Sequence, residues 1–248
     1  MSDLMRVQEA AEKLQAAIDS HKRVVFFGGA GVSTESGIPD YRGKDGIDKE
    51  GPDEEGYTPE ERRYHDYFLT HPDKFHDEFI VRFRALSAVE PNATHYKLAE
   101  LERAGKLRAV ITQNIDGLHH RGGSQYVIEL HGNMRTCHCE KCGTTYDIKR
   151  FLDDGVRCDC GGLIRPDIVM FGESLDDGAI TAAVNEIANA DMLIIAGTSL
   201  AVYPAAGLVD YFRGDCLVLM DRQKTPRDGA ADILIREPIA EVFGKIKV

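Results

Sequence analysis

The sequence predicts an α/β protein: a doubly wound, Rossmann-like parallel sheet carrying a smaller lobe made of helices and a zinc ribbon. Three observations predict it. Helical patterns alternate with short apolar strands over much of the 248 residues. The first apolar strand breaks directly into the glycine-rich turn Gly28-Gly29-Ala30-Gly31. Five of the six cysteines crowd between Cys137 and Cys160 and interrupt the alternation.

Taken in order, residues 6–20 carry Val7, Ala10, Ala11, Leu14, Ala17 and Ile18 at helical spacing, so a helix leads in. Val24-Val25-Phe26-Phe27 then reads as a buried parallel strand, and the glycines after it are expected to let backbone N–H groups approach a phosphate. The usual dinucleotide fingerprint is not met. Thr34 stands where its third glycine belongs, and residues 43–56 are polar, glycine-rich and acidic where a second strand ending in an acid is required. An ordinary hydride-transferring dehydrogenase is therefore disfavoured. The 43–56 stretch reads as a long functional loop. Helices are expected at about 59–69 and 72–88, where Tyr64, Tyr67, Phe68, Phe75, Phe79 and Phe83 form a core stripe. A helix near 93–104 ends at Gly105, and strands follow at 107–112 and 127–130. Beyond the cysteines come a helix at 176–189, a strand at 192–196, a helix at 204–213, strands at 217–220 and 233–235, and a helix at 239–246. Ligands of such sheets bind at the carboxyl ends of the strands. Gly29 to Ser33, Gln113 to Asp116, Gly197 to Ser199 and Asp221 each follow an apolar strand, so these local signals converge on one edge.

With 41 acidic against 30 basic side chains the formal charge is −11, which disfavours direct nucleic-acid binding. Met1 to Gln15 lacks an apolar run, so neither a secretory signal nor a membrane span is expected, and the expected setting is a cytoplasmic monomer. In a reducing compartment, crowded cysteines argue for metal over disulfides. Cys139-x-x-Cys142 and Cys158-x-Cys160 have the look of a structural Zn²⁺ site of four thiolates, with Cys137 as a spare candidate. Cys216, in an apolar run, reads as a strand core residue.

The run Gly29-Ala30-Gly31-x-Ser33-x-x-Ser36-Gly37-Ile38-Pro39-Asp40-Tyr41-Arg42 resembles the cofactor loop of the sirtuins, the NAD-dependent protein-lysine deacylases. The resemblance recurs in order along almost the whole chain: Gln113-Asn114-Ile115-Asp116, Leu130-His131-Gly132, the cysteine quartet, Phe171-Gly172-Glu173 and Gly197-Thr198-Ser199-Leu200. It implies NAD-dependent removal of acyl groups, chiefly acetyl, from protein lysines, with nicotinamide and O-acyl-ADP-ribose as products. The nearest alternatives are a protein ADP-ribosyltransferase using the same site and a zinc-ribbon interaction module without turnover.

The resemblance also implies roles. His131 is the catalytic base, a task suited to an imidazole near neutral pH, with Asn114 beside it. In the cofactor loop NAD is held by Gly29, Ala30, Gly31, Ser33, Thr34, Asp40, Tyr41 and Arg42. Gln113, Asn114, Ile115 and Asp116 shape the nicotinamide pocket, although Asn114 and Asp116 are also natural caps for a helix or turn directly after them. Gly197, Thr198 and Ser199 serve the adenosine side, with Asp221, Ile239 and His131 completing the cofactor set. Asp221 lies where the family usually has asparagine, and its charge favours NAD over NADP. Tyr41 replaces a usual phenylalanine and Gly28 a usual threonine. Val169, Met170, Phe171, Gly172 and Glu173 are expected to pair with the acyl-lysine peptide as an added strand. The run after Cys142 matches the family and favours Cys139, Cys142, Cys158 and Cys160 as the zinc ligands. The expected division gives residues 1–42, 89–133 and 167–248 to the NAD-binding lobe, and 43–88 and 134–166 to the small lobe. Family members that prefer succinyl carry Tyr-x-x-Arg after the cofactor loop; its absence here implies acetyl preference.

Overall fold

The computed structural model describes residues 3–40 and 51–248; Tyr41, Arg42 and most of the expected 43–56 loop lie outside the described residues. The chain begins with α1 (Asp3–Ser20) and β1 (Val24–Gly28), followed by two short 3₁₀ turns at Ala30–Val32 and Thr34–Ser36. A 3₁₀ turn at Glu61–Arg63 leads to α2 (His65–Thr70), α3 (Pro72–Ser87), α4 (Ala93–Arg103), β2 (Leu107–Thr112), α5 (Leu118–Arg121) and β3 (Val127–Glu129). Next come β4 (Gly132–Cys139), β5 (Thr145–Asp147), α6 (Ile148–Asp154) and β6 (Ile164–Ile168). The chain closes with α7 (Asp177–Ala188), β7 (Met192–Ala196), β8 (Cys216–Met220), β9 (Ile233–Ile235) and α8 (Ile239–Phe243).

Six strands form one sheet in the order β3-β2-β1-β7-β8-β9, every pair parallel. The order reverses between β1 and β7, which is where a doubly wound sheet opens its ligand crevice. The strands are apolar throughout because both faces are covered, and the period of two sorts their side chains. Val24, Phe26, Val110, Ile194 and Val218 pack with Leu14, Ile18, Leu98 and Phe243 of α1, α4 and α8. Val25, Phe27, Ile111, Ile195 and Leu219 face the other way, with Ala183 and Ile187 of α7 and Leu208 from the 205–211 turn.

A third cluster joins segments distant in sequence. Tyr67, Phe68, Phe75 and Phe79 from α2 and α3 pack with Met134, Cys137, Phe151, Ile164 and Met170. The aromatic stripe is thus core, as its periodicity indicates, except that Tyr64 is exposed and lies against Phe171, ring centroids 5.4 Å apart. The antiparallel sheet β5-β4-β6 and helix α6 carry this cluster and have no counterpart in the expected element list. Short ribbon strands between metal-ligand turns lack a long periodic pattern, so sequence does not announce them. The expected boundary between 166 and 167 falls inside β6. Two terminal helices also differ from expectation. The expected 204–213 helix is a 3₁₀ run at Ala205–Tyr211 containing Gly207, and α8 stops at Phe243, short of the expected 246.

Candidate active site and thiolate centre

The exits of β1 and β7 interlock through glycines. Gly29 N–H donates to the Ala196 carbonyl at 3.1 Å and Gly31 N–H to the Gly197 carbonyl at 2.8 Å. A Cβ on Gly31 would stand 2.7 Å from Gly197 Cα, and one on Gly197, whose φ is +59°, would stand 2.4 Å from Val32 N. The N–H groups of Gly29 and Gly31 are engaged inside the protein, so these glycines serve close approach of two strand exits. The resulting cradle is one that side chains would fill.

Around that cradle the expected residues converge. Ser33, 1% exposed, donates its hydroxyl to Asp116 Oδ2 at 2.7 Å. Asn114 Nδ2 donates to the Gly29 carbonyl and to Ser33 Oγ, both at 3.1 Å. Asp116 Oδ1 accepts from Leu118 N–H at 2.9 Å, so its side chain satisfies a donor at the start of α5. Burial pushes the Asp116 carboxyl up from its ordinary value, with the Leu118 and Ser33 hydrogen bonds opposing. At the exit of β7, Gln113 Nε2 donates to Thr198 Oγ1 at 3.1 Å. Thr198 is buried and Ser199 exposed.

His131 leaves the end of β3 and turns back to the same edge. Its Nδ1 lies 2.8 Å from the Gln113 carbonyl. A carbonyl can only accept, so Nδ1 carries the proton and Nε2 of the neutral ring keeps a lone pair. Burial lowers the His131 pKa from 6.5, against the pull of the Gln113 hydrogen bond, and so favours the neutral ring.

The remaining cofactor candidates are less uniform. Ala30 is half-buried, and exposed Thr34 donates its hydroxyl to the Gly31 carbonyl at 3.0 Å. Ile115 packs against the third cluster. Asp221 follows β8, accepts from Gln223 N–H at 2.8 Å, and has its pKa raised by burial, with nearby Asp40 adding to the rise and Arg236 opposing it. Ile239 is 6% exposed, and α8 turns it, with Val242 and Phe243, into the core of the sheet. Sequence reasoning missed two supports. Glu35 Oε1 accepts from Ala240 N–H at 2.9 Å, and Asn92 Nδ2 donates to the Val32 carbonyl at 2.8 Å. Asn92 begins an Asn-x-x-His capping box that the sequence displays.

The segment from Val169 to Glu173 crosses beneath this edge. Val169 N–H donates to the His131 carbonyl at 2.9 Å. Phe171 pairs one backbone edge with residues 63–65, its N–H donating to Arg63 O at 3.0 Å and its carbonyl accepting from His65 N–H at 3.1 Å. Met170 is buried, Gly172 has φ +90°, and both Glu173 carboxylate oxygens accept from Arg165.

The sulfurs of Cys139, Cys142, Cys158 and Cys160 lie within 4.8 Å of one another, with Cys139 and Cys160 at 3.4 Å and Cys142 and Cys158 at 3.8 Å. Four thiolates about 2.3 Å from a tetrahedral Zn²⁺ stand about 3.8 Å apart, so the quartet fits zinc. A Cβ on Gly162 would come 2.7 Å from Cys139 Sγ, a glycine requirement that the spacing does not announce. Cys137 is settled as well: it is fully buried and its Sγ lies 3.4 Å from the Asp147 carbonyl, outside the quartet.

A parallel sheet of order β3-β2-β1-β7-β8-β9 with polar groups gathered at its switch point, beside a four-thiolate site, defines a nucleotide-binding α/β protein with a structural zinc lobe. Comparison with known proteins narrows the class. The model of the Sir2 family matches residues 29–204, and the chain belongs to that family. An NAD-dependent protein deacetylase of Clostridium perfringens is 45% identical over 244 residues, covering 97% of this chain and 99% of its own. A crystal structure of a Sir2 homolog–NAD complex superposes with a TM-score of 0.83 at 38% identity, covering 94% of this chain and 91% of that one. A Sir2 structure with a deacetylated p53 peptide and 3′-O-acetyl ADP-ribose superposes with a TM-score of 0.83 at 36% identity, covering 94% and 95%.

Proposed function

We propose that this chain is an NAD-dependent protein-lysine deacetylase, converting acetylated protein, NAD and water into free lysine, nicotinamide and O-acetyl-ADP-ribose. The observation that carries the reading is the orientation of His131: Nδ1 is fixed by the Gln113 carbonyl, so Nε2 is a ready proton acceptor at the edge where Asn114, Asp116 and Ser33 also meet. Relatives of known structure bound to NAD and to a peptide support it.

Bound at the switch point, NAD supplies a ribose carbon from which nicotinamide departs and to which the acyl oxygen adds. The chain's residues do the rest. Asn114 and Asp116, both hydrogen-bonded to the Ser33 hydroxyl, orient the carboxamide end of the cofactor. Thr198 and Asp221 hold the adenosine side, the latter as an acceptor for ribose hydroxyls. His131 Nε2 takes a proton from a ribose hydroxyl, which then captures the acyl group. Because one edge of Phe171 is already paired with residues 63–65, an acyl-lysine peptide adds its strand on the other side of 169–173.

The same reading has the protein act as a cytoplasmic monomer on acylated proteins. No helix among the described residues is long and apolar enough to cross a membrane. The test is incubation with NAD and an acetyl-lysine peptide, followed by mass spectrometry. Equal yields of deacetylated peptide, nicotinamide and O-acetyl-ADP-ribose are expected. ADP-ribose transferred to protein, or no acetyl-dependent nicotinamide release, overturns the reading.

A further inference from the structure

Glu140 stands between zinc ligands Cys139 and Cys142 yet turns away from the thiolates towards β6 and α2. Its Oε1 lies 2.6 Å from His65 Nε2 and 3.3 Å from Arg165 Nη1. A carboxylate only accepts, so His65 Nε2 carries the proton of that bond. Arg165, 4% exposed, forks onto both oxygens of Glu173, with Nη2 at 2.7 Å from Oε2, and also donates to the Ile168 carbonyl at 2.6 Å. Glu173 Oε2 in turn accepts from Met170 N–H at 2.7 Å. Although burial opposes its charge, the Arg165 bonds hold the Glu173 carboxyl below its ordinary range. From the other end, His65 N–H donates to the Phe171 carbonyl at 3.1 Å.

The circuit therefore closes on residues 170–173. Glu173 is gripped by Arg165, Arg165 by Glu140, Glu140 by His65, and His65 holds the backbone of Phe171. The ligand atoms of His65, Glu140 and Glu173 also lie within 4.8 Å of one another, the separation of a cation site. The Arg165 guanidinium already supplies the positive charge there and fills the donor role, so a second metal has no place.

We propose that Glu140 and His65 are positioning residues for the substrate: through Arg165 they tie the thiolate loop to the backbone of 170–173 and fix it in the shape that receives the acyl-lysine peptide. This rests on the reading of 169–173 as the peptide-binding segment. Neither side chain belongs to the network around Ser33, Asn114, Asp116 and His131, so peptide recognition and the chemical step separate. A preformed strand edge binds without paying ordering entropy at that moment, and loosening it weakens the peptide complex.

The experiment compares steady-state kinetics of the zinc-loaded wild type, Glu140→Gln, His65→Ala and the double variant. KM for an acetylated peptide is expected to rise about tenfold in each single variant, the effect of losing one charge-assisted hydrogen bond. KM for NAD and kcat are expected to stay as in wild type. The double variant is expected to be no worse than the worse single, because both cut one circuit. Metal content and fluorescence anisotropy of a labelled peptide accompany the kinetics, with one zinc per chain and weakened peptide binding expected. If Glu140→Gln loses zinc, His65→Ala, which lies outside the thiolate loop, decides alone. Wild-type KM for peptide in folded, zinc-loaded variants, or equal changes in kcat and KM for NAD, overturns the proposal while leaving the deacetylase reading intact. A wild-type protein that does not turn over acetyl-lysine overturns both.

Discussion

The sheet edge and the thiolate quartet both gather residues far apart in sequence, but they are held together in different ways. At the edge, Gly29, Gln113, His131 and Gly197 are placed by parallel strands whose backbone pairing and two apolar faces exist without any ligand. A side chain can be removed there and its neighbours stay in place. The quartet sits on two short turns beside three short strands, where the metal supplies much of what a larger core supplies elsewhere. Stability is therefore concentrated in the ion on one side and spread through the sheet on the other. Substitutions should separate the two.

The largest expected effect is on the thiolate side. Chelation of zinc, or Cys158→Ser, should unfold the ribbon at about 132–168, since structural thiolate sites contribute about 10 kcal/mol to folding. Hydrogen exchange is expected to show loss of protection in β4 to β6 with β1, β2 and β7 still protected; uniform loss breaks the contrast. Next comes His131→Ala, expected to lower kcat about 10²- to 10⁴-fold while leaving the melting temperature and NAD binding near wild type. Full activity removes His131 from the mechanism. Gly197→Ala should be more damaging to the edge than any side-chain deletion there, because φ +59° and a backbone nitrogen 2.4 Å from the added Cβ force the β1 and β7 exits apart. A loss of about 1–3 kcal/mol in denaturant unfolding, with weakened NAD binding, is expected.

Acid sharpens the comparison within the large sheet. His95 is fully buried, and its Nδ1 accepts from Asn92 N–H at 3.1 Å, a bond that a protonated ring cannot make. Burial lowers the His95 pKa from 6.5 to about 4 and takes neighbouring His119 well below 6.5. The unfolded chain thus binds protons first, and stability present above pH 6.5 is lost as pH falls towards 4, by roughly 3 kcal/mol for His95 alone. Unfolding free energy measured at pH 7 and pH 4.5 should show this fall, and His95→Gln should flatten it. The acid limb of kcat/KM should lie below pH 6.5, because His131 is also depressed.

The last effect concerns the acyl group. Arg62, a candidate partner for an acidic acyl chain, already donates to Glu78 at 2.8 Å. A succinyl carboxylate without a partner faces a desolvation cost of several kcal/mol, so kcat/KM on one peptide should be higher for acetyl-lysine than succinyl-lysine. The reverse order would falsify the assignment and direct attention to Arg62 and Arg63.

The sequence by itself determined the alternation of helix and strand, the exits that carry Gly29, Gln113, His131 and Gly197, and the composition of the thiolate quartet. Those signals are local: apolar runs of fixed length, breaks at glycine, and paired cysteines. Only the tertiary structure decided how they are used. The glycines were legible as a nucleotide turn, but that Gly29 and Gly31 commit their N–H groups to Ala196 and Gly197 depends on strands far apart in sequence meeting side by side. The sequence favoured Cys139 and kept Cys137 as a spare, and the structure gives the Cys137 thiol to the Asp147 carbonyl and Cys139 to the quartet. The sequence places Ile239 at the start of a helix, and only the packing of α8 gives its side chain to the core. The circuit from His65 through Glu140 and Arg165 to Glu173 leaves no linear pattern at all, because ion pairs between distant elements are fixed by the fold and not by residue spacing.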